Sequence, residues 1–142
     1  MTYASQQQLI ERFGERLLIQ LTDRATVPTG VIDPAVVTRA LTDTDAVIDG
    51  YLAGRYALPL ETTPPLLADL AQAIAIYKLH PYAPDAKIDQ DYKDAMATLA
   101  RISTGTVKLP IAGIEPVSGG SAGVEAIDRE RPLTPENLGG FI

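Results

Sequence analysis

The densest groups of ionisable side chains are Asp43, Asp45 and Asp49, and further along Asp85, Asp89 and Asp91. Carboxylates sharing a helix face are the raw material for acid–base catalysis or for binding a hard cation. Asp45 and Asp49, four apart, share such a face, but no nearby histidine or second carboxylate cluster completes a ligand set. Asp85, Asp89 and Asp91 fall near a helix start, where the dipole favours negative charge, and lack the glycine and closing glutamate of a calcium loop. His80 is the only histidine, which excludes by count a catalytic triad alongside a multi-histidine metal site. Its place before Pro81 points to a helix-end role. Gly50 and Gly54 are not followed by the Lys-Ser or Lys-Thr of a phosphate loop, so close helix packing or a helix end explains them better. Tyr51, Tyr56, Tyr77, Tyr82 and Tyr92 have only Arg55, Lys78 and Lys87 between them, too few basic residues for a nucleic-acid stacking platform, and read mostly as core or interface side chains. The sequence therefore predicts no enzyme, no cofactor and no metal site.

Composition narrows the remaining classes. Twelve basic against eighteen acidic residues leave a net charge of -6, and no two Lys or Arg are adjacent, so a basic stripe for phosphates is missing. There is no cysteine, hence no disulfide, thiolate nucleophile or cysteine-ligated metal. No apolar run approaches the roughly 18 to 20 residues that cross a bilayer, and the first residues carry neither a basic nor an apolar signal region. A soluble protein assembled in a cytoplasm, with no membrane partner, is expected. Its 142 residues suit one compact domain with some length to spare.

The elements that must position these residues are helices. Ser5 is placed to cap a short helix ending at Phe13, with Gly14 as a left-handed stop. A second short helix follows from Glu15 to Leu21, with Leu17, Leu18 and Leu21 on one face. Pro28 and Gly30 mark a loop from Asp23 to Ile32. Asp33-Pro34 is the strongest helix start in the chain, opening a central helix to about Gly54 with Val37, Leu41, Ile48 and Leu52 in one stripe. Residues 56–63 form a connector around Pro59. Pro64-Pro65 opens another helix, with Leu66, Leu67, Leu70, Ile74 and Tyr77 facing inward, that stops before Pro81. A last helix from Asp85 to Ser103 aligns Ile88, Tyr92, Ala95, Leu99 and Ile102. The fold class is thus mainly α: a small antiparallel bundle of three long helices and one or two short N-terminal ones, over residues 1–105.

From Thr106 onward the periodicity stops. Six Gly and four Pro fall in the last 37 residues, yet Leu109, Ile111, Ile114, Val117, Val124, Ile127, Leu133, Leu138, Phe141 and Ile142 are spread through them. A solvated linker has no need of so many apolar side chains. Residues 106–142 are expected to form an extended arm that orders on a partner, with a short strand at Thr106 to Ile111.

Three stretches carry a resemblance. Residues 3–14, Tyr-Ala-Ser-Gln-Gln-Gln-Leu-Ile-Glu-Arg-Phe-Gly, with Leu21-Thr22-Asp23-Arg24 behind them, resemble the opening of a Mu-like prophage protein family regarded as a head-to-tail connector. Residues 48–60, Ile-Asp-Gly-Tyr-Leu-Ala-Gly-Arg-Tyr-Ala-Leu-Pro-Leu, and then Pro64-Pro65-Leu66-Leu67, look like its most recognisable part. Leu138-Gly139-Gly140-Phe141 looks like its closing signature. The stretch from Pro116 to Val124 departs from the pattern.

The resemblance implies a structural protein of the virion neck, an adaptor ring of about twelve copies between the portal protein and a tail-side neck or stopper protein. Genome DNA would pass through its lumen without specific binding. Leu52, Arg55 and Tyr56 are then expected near a subunit contact, and Leu109, Ile111, Ile114, Leu133, Leu138, Phe141 and Ile142 on the portal or adjacent subunits. Asp43, Asp45 and Asp49 become candidates for a channel-facing acidic surface. Two alternatives stand beside this reading: a small DNA-binding packaging factor, which the acidic charge opposes, and a tail terminator or completion protein, which calls for more strand.

Overall fold

The computed structural model describes residues 2–111, which form five helices: α1 (Gln6–Phe13), α2 (Glu15–Thr22), α3 (Pro34–Leu52), α4 (Pro65–Leu79) and α5 (Ala86–Thr104). Each begins where the local chemistry dictates. Ser5 and Gln8 form a reciprocal capping box: the Gln8 amide donates to Ser5 Oγ at 3.2 Å, and the Ser5 amide to Gln8 Oε1 at 2.9 Å. Gly14 ends α1 at φ +90° but with an extended ψ of 143°, not the left-handed helical value expected, and α2 starts at once after it. Asp33 caps α3 by accepting from the Ala35 amide at 3.0 Å, with Pro34 in the first turn. His80 closes α4: its Nδ1 lies 2.7 Å from the Ile76 carbonyl oxygen, which only accepts, so this nitrogen carries the proton. The helix-end role expected of the single histidine is the one observed.

The three long helices pack around one core. Val37, Leu41, Ile48 and Leu52 of α3, Leu67, Leu70, Ile74 and Ile76 of α4, and Ile88, Ala95, Leu99 and Ile102 of α5 are all buried. α4 buries residues on more than one side, as its Ala- and Leu-rich sequence predicts. Tyr77 and Tyr92 are only half-buried, and their rings stack across α4 and α5 with centroids 3.8 Å apart.

Two hydrogen-bonded junctions define the ends of the bundle. Arg55, just beyond α3, donates to the Ser103 and Thr104 carbonyls of α5, each at 2.8 Å, so the C-termini of α3 and α5 meet; this is the latch end. Arg24, just beyond α2, donates to the Leu79 carbonyl at the end of α4 at 2.9 Å. Buried Thr22 accepts from the Asp33 amide at 3.0 Å, joining the end of α2 to the start of α3. The α2–α3 and α4–α5 loops therefore share the opposite, loop end, and α4 runs antiparallel to its two long neighbours.

Two expectations are corrected. Thr106 to Ile111 is not a strand; no partner strand exists among the described residues. The chain turns at Gly105 in the left-handed conformation, the Val107 amide donates to the Arg101 carbonyl, and Leu109 and Ile111 enter the core. The helical domain thus extends past Gly105 to Ile111. Of the two roles expected of Gly50 and Gly54, close packing or a helix end, the helix end is the one seen: a methyl group at either would meet nothing within 4 Å, and Gly54 follows the C-cap Ala53 of α3.

Candidate functional site

The acidic face of α3 does not present three equivalent carboxylates. Tyr3 is buried against it: its amide donates to Asp45 Oδ1 at 3.0 Å, and its hydroxyl donates to Asp49 Oδ1. Burial, reinforced by the Asp49 hydrogen bond and by the charges of Asp49 and Asp45, holds the Tyr3 hydroxyl protonated far above the ordinary phenol range. Burial also raises the Asp45 carboxyl above its usual value, an effect that the Tyr3 amide only partly offsets. Asp45 and Asp49 are thus half-buried acceptors that clamp the N-terminal segment onto α3. Asp43 is exposed. Among the described residues no group of three or more His, Cys, Asp or Glu converges in a way that could hold a metal ion.

At the latch end, the residues expected near a subunit contact are occupied inside the chain. Leu52 and Tyr56 are buried in its own core. The Tyr56 hydroxyl accepts from the Leu109 amide at 3.1 Å, tying the segment after α5 to the connector after α3. Half-buried Arg55 caps α5 through its terminal carbonyls. Gly105 lies directly beneath the guanidinium: a methyl there would sit 2.5 Å from the Arg55 Cζ, and φ is +83°. Glycine meets both the close approach and the left-handed backbone. Leu109 and Ile111, expected on a partner, are likewise buried here. Ile114, Leu133, Leu138, Phe141 and Ile142 lie outside the described residues.

The loop end has the opposite character. Among the described residues the exposed large hydrophobic side chains are Val27 (75%), Val31 (61%) and Tyr82 (86%), and all three belong to its two loops. The first loop is closed by Asp23, whose carboxylate accepts from the Thr29 and Gly30 amides and the Thr29 hydroxyl. The Gly30 and Thr29 amides hold that carboxyl below its usual range. Beside the loops a cleft of about 160 Å³ is lined by Arg24, Arg39 and Lys78 with Asp43 as its single acid, together with Val36, Ala40 and Leu79. Sequence reading missed this surface; the available signal was two valines in a Pro- and Gly-containing loop without periodic partners.

Comparison with known proteins places the chain in a family. The family described as Bacteriophage Mu, Gp36 matches residues 3–126. The Mu-like prophage FluMu protein gp36 of Haemophilus influenzae is 35% identical over 111 residues, covering 78% of this chain and 77% of the relative. Gene product J of Escherichia phage Mu is 30% identical over 142 residues, covering both chains completely. The match takes in the capped N-terminal helices, the Tyr3 clamp, the latch and the start of the segment beyond it, and the chain belongs to the bacteriophage Mu Gp36 family.

Proposed function

We propose that the protein is a structural subunit of the phage virion, a head-to-tail adaptor that forms a ring of about twelve copies between portal and tail, and that it is not an enzyme. The observation that carries this reading is the end-to-end match with a phage Mu gene product by a chain whose described part is a small helical bundle. Helices without strand among the described residues favour an adaptor over a tail terminator. A net charge of -6 disfavours a DNA-packaging factor and suits a lumen through which DNA slides, because few cations are available to hold phosphates.

In this reading the bundle is the rigid wall of the ring and residues 112–142 reach the portal or adjacent subunits. Arg55 contributes to that contact by fixing where the chain leaves the bundle, and Asp43 is the acidic candidate of α3 that remains exposed. Purified protein mixed with its portal protein is expected to give a discrete ring-on-ring particle by size exclusion and electron microscopy. Two species that stay separate would count against the adaptor role. Salt-sensitive binding of duplex DNA in gel shifts would favour the packaging factor instead.

A further inference from the structure

The exposed large hydrophobic side chains of the described domain lie in the two loops at one end of the bundle, which also carries a cleft lined by three cations. Scattered apolar residues need no explanation, but grouped ones mark a surface that something covers. The ion pairs of the described residues, Arg12–Asp69, Lys87–Asp91 and Lys93–Asp89, use none of Arg24, Arg39 or Lys78. Arg24 is further pinned by the Leu21 and Leu79 carbonyls, which fix a guanidinium at the cleft without neutralising it. The surface therefore fits a segment that combines aliphatic side chains with carboxylates.

The chain itself contains one. Residues 112–142 carry Glu115, Glu125, Asp128, Glu130 and Glu136 against Arg129 and Arg131, and Val124-Glu125-Ala126-Ile127-Asp128 sets two aliphatic and two acidic side chains within five positions. The chain passes Ile111 at the latch end, and the nineteen residues of α5 place the loop end roughly 28 Å away at 1.5 Å per residue. Residues 112–123 extend to about 40 Å at ~3.3 Å each, enough to cover that distance along the same protomer.

We propose that the loop end is a docking surface for the chain's own residues 124–128, with Val124 and Ile127 against Val27, Val31 and Tyr82, and Glu125 and Asp128 facing Arg39 and Lys78. The free subunit thereby covers its apolar end, and in the adaptor reading this strap is released when the segment takes up its partner.

The absence of cysteine makes the test direct in the full-length protein. A V31C/I127C variant, oxidised at low protein concentration, is expected to form an intramolecular disulfide about tenfold faster than T62C/I127C, whose first cysteine lies at the latch end. Y82C/V124C is a second reporter of the same contact. Adding R39E and K78E is expected to slow the first pair about tenfold, and adding E125K and D128K to those to restore it. Equal rates for the loop-end and latch-end pairs, or no disulfide in either reporter, would overturn the proposal. Disulfide-linked dimers would assign the surface to a second copy and also overturn it, as would a charge reversal without effect. None of these outcomes depends on whether the protein joins heads to tails.

Discussion

The two ends of the bundle are built from similar parts and put to different use. At the latch end, polar groups close onto backbone carbonyls and amides, and aliphatic residues from both connectors go inside: Arg55 onto α5, Tyr56 onto the Leu109 amide, Leu109 and Ile111 into the core. At the loop end, Asp23 and Arg24 also satisfy backbone groups, but Val27, Val31 and Tyr82 are exposed on the described bundle and the cations line an open cleft. The difference is between an end that closes onto its own backbone and an end that leaves apolar and cationic side chains exposed.

The largest effect that would break this comparison concerns the segment after Gly105. Truncation after Gly105 removes buried Leu109 and Ile111, and single Leu or Ile to Ala changes in a core cost about 2–5 kcal/mol. We expect that truncation to lower stability by several such kcal/mol in urea unfolding, while truncation after Ile111 stays within about 1 kcal/mol of the intact chain. Similar losses for both would move the edge of the domain into residues 112–142. A smaller effect is expected at the latch: Arg55→Ala loses two charged hydrogen bonds, about 1.5–3 kcal/mol each before solvent screening reduces them. Gly105→Ala should share part of this loss by displacing the same guanidinium, and the double variant should be less than additive. Additive losses would mean that the two residues act separately.

The Tyr3 clamp gives a pH-dependent prediction. Because burial raises the Asp45 carboxyl in the folded chain, the native state binds that proton more tightly than the unfolded state does. Its contribution is fully present below the unfolded value near 4 and is lost as pH rises through the higher folded value. Asp45→Asn keeps an acceptor for the Tyr3 amide but does not titrate, so its urea midpoint should fall less than the parent's between pH 4 and pH 7. Parallel profiles would remove Asp45 from the account. The smallest effects belong to the loop end: Val27→Ser, Val31→Ser and Tyr82→Ser should each leave the unfolding free energy in urea within about 0.5 kcal/mol of the parent. A large loss would show that these side chains hold the loops together, contrary to their exposure.

Most of the fold was legible because it rests on short-range rules. Ser5 with Gln8, Asp33 with Pro34, and the Val37-Leu41-Ile48-Leu52 stripe each declare a helix within a few residues. The interactions that were not legible join residues far apart in sequence. Tyr3 meets Asp45 and Asp49, Arg24 meets Leu79, and Arg55 meets Ser103, and none of these pairs has a periodicity to betray it. Asp45 and Asp49 accept from a buried tyrosine that nothing in their own stretch announces, and Leu109 and Ile111 pack into the chain's own core from beyond the last helix. Gly105 was read as a boundary because a left-handed turn looks the same in sequence whether the following residues leave the domain or fold back onto it. Pro110 and the glycines beyond strengthened that impression.

The Arg55 latch also orders events during synthesis. Its acceptors, the Ser103 and Thr104 carbonyls, emerge from the ribosome 48 and 49 residues after the guanidinium does. The departure point of the last part of the chain is therefore set only after α5 is complete and seated, which makes the latch a marker of a finished bundle.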